Sequence, residues 1–222
     1  MAEAGHFVYG EVEIAHLKLR DPVLGAAIDR IGPIERAVTP DLFTALIHAI
    51  VGQQISTKAQ ATVWARLESL CAPVTPERLA ELSSEELQRC GLSFRKTDYM
   101  KGISAAILAG KLNLAALAQQ PDEEVCKQLS QLKGIGVWTA EMLMTFSMQR
   151  PNIMSYGDLA ILRGLRMLYR HRVITPKLFA KYKRRYAPYA TVASLYLWAV
   201  AGGACPELTD PAQKARQSGE KK

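Results

Sequence analysis

The chain has 222 residues, with 28 Lys and Arg against 21 Asp and Glu and a formal charge of +7. Hydrophobic residues make up 49% and charged residues 22%, which is enough apolar side chain for a sizeable core and too little self-repulsion for a disordered polymer. The four cysteines, at 71, 90, 126 and 205, form no Cys-x-x-Cys pair, so a zinc ribbon and a thioredoxin-type motif are excluded and the thiols read as buried ones in a reducing compartment. The N-terminus, MAEAGHFVYGEVEIAHLK, lacks the basic-then-apolar order of an export signal.

In chain order, Val8 to Leu19 alternates weakly and fits either an extended segment or a helix leading into Asp21-Pro22. Asp41 is placed to cap a helix through LFTALIHAIVGQQIS, with Leu42, Ala45, Leu46, Ala49 and Ile50 on one face. KAQATVWARLESL follows, then PERLAEL behind Thr75-Pro76, then EELQRC, ended by Gly91. FRKTDYMKGISAAILAG closes at Gly110, LAALAQQ is short, and Pro121-Asp122 opens DEEVCKQLSQL. A helix is expected from about Val137 to Met148, another behind Asp158 through LAILRGLRMLYR, a third from Thr175-Pro176 through PKLFAKYKRRY, and a last one from Tyr189 to Ala201. The expectation is an all-α protein of about ten helices. Residues 1–40 are expected to pack on the C-terminal helices, 41–205 to form the helical core with a hairpin at about 123–148, and 206–222 to be a frayed tail.

Tyr186 to Pro206 carries no charge over 21 positions, which raises a membrane span as an alternative. Pro188, Thr191, Ser194 and Gly202-Gly203 interrupt it, so a buried core helix is the better reading.

The charge is concentrated. Between Leu159 and Ala190 lie nine basic residues (Arg163, Arg166, Arg170, Arg172, Lys177, Lys181, Lys183, Arg184, Arg185) and no acidic one, leaving 19 basic against 21 acidic elsewhere. Such a block is the footprint of a phosphate-backbone partner, or else a solvated helix face.

The most informative segment is Leu129-Ser130-Gln131-Leu132-Lys133-Gly134-Ile135-Gly136-Val137-Trp138-Thr139-Ala140, two helices joined through glycines one residue apart. Such a turn brings backbone N–H groups close to a partner and points a helix N-terminus outward, an arrangement that can hold a DNA phosphate. It is equally a tight structural turn.

These residues resemble the helix-hairpin-helix DNA glycosylases, and within them the 3-methyladenine DNA glycosylase II group. LKGIGVWTAEM is similar to the group's hairpin, MSYGDLAILRGL to its catalytic-aspartate segment, IVGQQISTKAQA to its DNA-intercalating loop and CGLSFRKTDYMKGIS to its Gly-Leu-Ser-x-x-Lys segment. Together they cover about Asp41 to Gly203 in the group's order.

The resemblance implies a fold of two helical subdomains with the hairpin and the catalytic aspartate at a cleft, and a hydrolase that flips an alkylated purine of the 3-methyladenine or 7-methylguanine type out of duplex DNA in base excision repair. The matching carboxylate is Asp158, which by itself reads as a helix N-cap. Trp138, Trp198 and Met142 match substrate-pocket positions, and Gln53 with Gln54 matches the loop that fills the gap left by the flipped nucleotide. Lys133, Gly134, Gly136, Val137 and Thr139 match the phosphate-binding hairpin; the carbonyls of Ser130, Leu132 and Ile135 match those that hold a sodium or potassium ion. No cofactor is required for the chemistry, and only Cys205 lies where the iron–sulfur branch has four cysteines, so no cluster is expected.

Relatives with lyase activity carry a lysine two residues after the second hairpin glycine; Trp138 stands there, which implies a monofunctional enzyme. His48 reads as a surface or packing histidine, and Lys96 as a solvated or capping lysine as much as a functional one. Two other readings stay open: a non-catalytic DNA-binding protein, and a glycosylase with lyase action on oxidised bases. The expected partner is duplex DNA with a damaged base, bound by a monomer without a membrane. The expected location is the cytoplasm, or the nucleus in a eukaryote.

Overall fold

The computed structural model describes residues 5–212. These form two paired two-residue strands, β1 (Gly5–His6) and β2 (Ala37–Val38), and thirteen helices. The helices fall into two compact units: residues 37–148 in one, residues 6–36 with 149–212 in the other. The second unit therefore joins the N-terminal segment to the C-terminal helices, α1 and α2 packing on α11, α12 and α13.

The 37–148 unit holds α3 (Leu42–Gly52), α4 (Thr57–Cys71), α5 (Pro76–Glu81), α6 (Ser84–Arg89), α7 (Phe94–Leu108), α8 (Leu114–Leu117), α9 (Asp122–Ser130) and α10 (Val137–Phe146). Side chains start most of them: Asp41, Ser56, Thr75, Ser83, Ser93 and Asn113 each accept a first-turn backbone N–H. Leu46, Ile47, Ile50 and Val51 of α3 are fully buried, and α3 packs on α4, α7 and α10. The helix ends at Gly52 and does not run on through Ser56, because Gln54 takes a left-handed conformation (φ 57°) and the Lys96 ammonium caps the Val51 carbonyl at 2.8 Å.

The other unit holds α1 (Glu11–Arg20), α2 (Pro22–Ile31), α11 (Leu159–Tyr169), α12 (Pro176–Tyr186) and α13 (Ala190–Ala201). The Val8 to Leu19 ambiguity resolves to a helix: the Gly10 N–H donates to the Glu13 carboxylate at 2.8 Å, and Leu17 is fully buried. The uncharged stretch becomes α13, buried on every side from Ala190 to Leu197 and packed by α2, α11 and α12. No helix among the described residues is long and apolar enough to cross a membrane. Gly164 lets α11 approach α13 closely, since a Cβ there would stand 2.4 Å from the Leu197 carbonyl oxygen.

Asp21 joins three elements of this unit. Its Oδ1 caps α2 at Val23 and Leu24, while its Oδ2 accepts the Tyr169 hydroxyl at 2.8 Å and Arg185 at 2.6 Å. Burial, with the Tyr186 hydroxyl and the Asp21 charge beside it, pushes the Tyr169 phenol far above its ordinary value, so it stays a donor. The chain beyond 205 is not frayed where it is described: Asp210 is 4% exposed and pairs with Arg166 through two bonds of 2.8 and 2.5 Å. The rest of the expected tail, residues 213–222, lies outside the described residues.

Candidate active site

In the hairpin between α9 and α10 the two glycines do different work. Gly134 has φ +88°, and a Cβ there would lie 2.3 Å from the Tyr99 ring, so both backbone and packing require glycine. Gly136 is extended (φ −88°) and a Cβ on it would meet nothing within 4 Å. The fold does not demand glycine at 136; the open space lies outside the chain, at the N-cap of α10. No side chain caps that helix start, and Gly136, Val137 and Lys133 are exposed around it. An uncapped first turn with exposed N–H groups is an anion-binding surface.

Beside the hairpin lies an open cavity of about 800 Å³, lined by residues of α3, α4, α7 and α10. Gln53, Gln54, Gly134, Trp138, Thr139 and Met142, all singled out from the sequence, line it. Trp138 is 48% exposed, an unusual state for the largest apolar side chain and one that leaves its indole open to a ligand. Gln53 ties the loop after α3 to the hairpin, its amide donating to the Gly134 carbonyl at 2.6 Å. Gln54, exposed and left-handed, stands at the tip of that loop.

The cavity also contains residues that sequence reasoning did not assign to a site. Arg95 and Tyr99 come from one face of α7 at the i, i+4 spacing, and Phe146 from the end of α10. His48 meets Trp64 edge-on at 4.9 Å between ring centres, and the Gln60 amide sits 3.1 Å from its Nδ1 while bonding its carbonyl at 3.0 Å. Burial lowers the His48 imidazole below its ordinary value, with Glu68 acting weakly the other way. Lys96 is a capping lysine, and burial lowers its ammonium. The spacing of Arg95 and Tyr99 was visible in FRKTDYM; the pairing of His48 with Gln60 was not.

Asp158 and Trp198 belong to the other unit. Asp158 is 7% exposed, and its Oδ1 accepts N–H groups of Ala160 at 2.9 Å and Ile161 at 3.0 Å, fixing the carboxylate at the head of α11. The segment before it is anchored to α13: Thr191 accepts the Ile153 N–H at 2.8 Å and donates to the Arg150 carbonyl at 2.6 Å, and the Ser194 hydroxyl reaches the Ile153 carbonyl at 3.3 Å. Trp198 is half-buried on α13. The carboxylate is therefore both a helix cap and a rigidly held negative charge.

A family model described as HhH-GPD superfamily base excision DNA repair protein matches residues 47–188, a span containing the hairpin, most of the cavity lining and Asp158. The chain belongs to the HhH-GPD superfamily. Among relatives, DNA-3-methyladenine glycosylase 1 of Schizosaccharomyces pombe is 37% identical over 158 residues, 69% of each chain. The crystal structure of a DNA-3-methyladenine glycosidase from Bacillus halodurans superposes with a TM-score of 0.85 at 33% identity, covering 96% of this chain and 99% of that one. The Schizosaccharomyces pombe 3-methyladenine DNA glycosylase in complex with abasic DNA gives 0.73 at 30% identity, over 86% of this chain and 97% of that one.

Within this HhH-GPD protein the basic block is partly structural. Arg166 and Arg185 neutralise Asp210 and Asp21, carboxylates that lie outside the block in sequence. Of the rest, Lys181 and Arg184 line with Arg20 and Arg185 a shallow cleft of about 400 Å³.

Proposed function

We propose that this chain is a monofunctional DNA glycosylase of base excision repair that hydrolyses the N-glycosidic bond of alkylated purines in duplex DNA. The observation that carries the reading is the cavity walled by Trp138 and Met142 and opening beside the uncapped start of α10. Methylation at N3 of adenine or N7 of guanine makes the base cationic, which weakens the glycosidic bond and favours stacking on an electron-rich indole. The family relationship, and the names of the relatives, support the same substrate class.

In this reading the hairpin takes a phosphate on the N–H groups from Gly136 onward, Lys133 adds charge beside it, and Gln54 enters the space left by the flipped nucleotide. The hairpin carbonyls of Ser130, Leu132 and Ile135 are hard, uncharged donors of the kind that suits sodium or potassium; the Leu132 carbonyl already accepts the Ile135 N–H at 3.0 Å and keeps a second lone pair. Asp158 supplies the charge for the chemistry. As the C1′–N bond breaks, the bonding pair leaves with the base and the sugar becomes oxocarbenium-like; the fixed carboxylate stabilises it, orients water toward C1′ and accepts the water's proton. The product is an uncut abasic site. The enzyme acts as a monomer in the cytoplasm or nucleus.

A lyase would need an unengaged lysine in the cavity, and among the described residues the lysine that lines it, Lys96, holds the Val51 carbonyl. The test is base release from methylated duplex DNA by wild type and Asp158→Asn, with strand breaks scored before and after alkali. Asparagine retains the acceptor oxygen of the cap, so the variant folds and binds DNA while excision falls by about a hundredfold or more. Equal excision by the variant would refute the role of Asp158, and breaks or borohydride-trapped adducts without alkali would refute the monofunctional reading.

A further inference from the structure

The wall of the cavity opposite in character to Trp138 and Met142 is cationic, and the recognition of an alkylated purine makes no use of it. Arg95 and Lys96 both line the cavity, and among the described residues no carboxylate does. A cationic base gains nothing from two like charges, so this wall suits a different part of the substrate. The Lys96 ammonium is engaged by the Val51 carbonyl. The Arg95 side chain is exposed and has no hydrogen bond or ion pair among the described residues. Nor does it support its own helix, since a cation in the first turn of α7 opposes the helix dipole. His48, which also lines the cavity, adds a ring that can hydrogen-bond.

We propose that Arg95 binds a phosphodiester of the strand that carries the damaged base, so that the cavity holds the base against Trp138 and Met142 and the backbone against Arg95. This rests on the glycosylase reading above. Every nucleotide delivers one anion with its base, and the planar guanidinium matches two phosphate oxygens where an ammonium would offer a point charge. The contact differs from the hairpin's, which uses backbone N–H groups on α10, and it lies on a different helix, α7.

The experiment uses the full chain and a fluorescent duplex with a tetrahydrofuran abasic analogue, titrated across a range of salt concentrations. Arg95→Ala is expected to weaken binding roughly tenfold and to lower the salt slope by about 0.9, the value for one phosphate contact. Lys111→Ala, which removes an exposed cation just beyond the far end of α7, should change neither. Arg95→Lys should restore the slope and only part of the affinity. Neutral methylphosphonate linkages, placed one at a time, should weaken wild-type binding at a lesion-strand position where Arg95→Ala is insensitive. The proposal is overturned if Arg95→Ala behaves like Lys111→Ala, or if the insensitive position lies on the undamaged strand. Base release by wild type is measured alongside; its absence would remove the glycosylase reading, whereas release with an unchanged slope would remove only the Arg95 contact.

Discussion

Replacing Gly134 by alanine tests whether the hairpin is held in shape by the ring beneath it. Two effects add. The left-handed backbone (φ +88°) disfavours any residue with a Cβ by about 1–2 kcal/mol. The new Cβ would also stand 2.3 Å from Cδ2 and 2.9 Å from Cγ of Tyr99, and because Cγ lies on the Cβ–Cγ axis, turning the ring about that bond cannot clear the overlap. Overpacking of that kind adds about 1–3 kcal/mol. The sum, about 2–5 kcal/mol in urea melts, is a large part of an ordinary domain's stability. In a Tyr99→Ala background the overlap is gone, and Gly134→Ala should cost only the backbone share, a coupling of about 1–3 kcal/mol in the double-mutant cycle. Binding to abasic duplex should fall in the single Gly134 variant, because the Gln53 bond to the Gly134 carbonyl shifts with the turn. Equal costs in the two backgrounds would show that the Tyr99 ring is not the wall, and a cost below about 0.5 kcal/mol would refute both parts.

Gly136→Ala should behave in the opposite way: no atom stands within 4 Å and the backbone is extended, so stability should move by no more than about 0.5 kcal/mol while duplex binding weakens several-fold; unchanged binding would remove the phosphate from the start of α10. The Arg166 guanidinium holds the Asp210 carboxyl below its ordinary range. Its contribution is therefore present above an unfolded aspartate value of about 3.9 and is lost as pH falls through the lower folded value. Asp210→Ala should lower stability by about 3 kcal/mol at neutral pH and flatten the acid limb of a stability–pH profile; parallel wild-type and variant profiles would show that the pair is not coupled to folding.

Much of the helical layout was legible because start signals are local. Asp41, Thr75-Pro76, Asp158 and Thr175-Pro176 announce helices that Asp41, Thr75, Asp158 and Thr175 do cap. The α1–α2 pair was harder: Gly10 offers no capping side chain, and the turn between the two helices is the single residue Asp21, whose partners Tyr169 and Arg185 lie more than 140 positions away. The site divides along the same line. Trp138, Met142 and the hairpin glycines sit within ten residues of one another and could be read as a motif. His48 and Gln60, or Tyr99 beneath Gly134, become neighbours only through packing of α3, α4 and α7, which no spacing encodes.

Charge shows why a count of residues overstates a binding surface. The nine cations from Arg163 to Arg185 have no acidic neighbour in sequence, yet the two most firmly held are matched by buried carboxylates at 21 and 210, on either side of the block. Burying those aspartates without a partner would be prohibitive, so Arg166 and Arg185 belong to folding whatever else the block does. Arg95 presents the reverse case. It lies in a stretch of unremarkable composition, opposes the dipole of its own helix, and is unengaged by any described residue on the wall of the cavity. A cation whose side chain has no partner among the described residues, beside a cavity that none of their carboxylates lines, is better evidence of an anionic ligand than a longer run of cations whose counter-charges the fold already supplies.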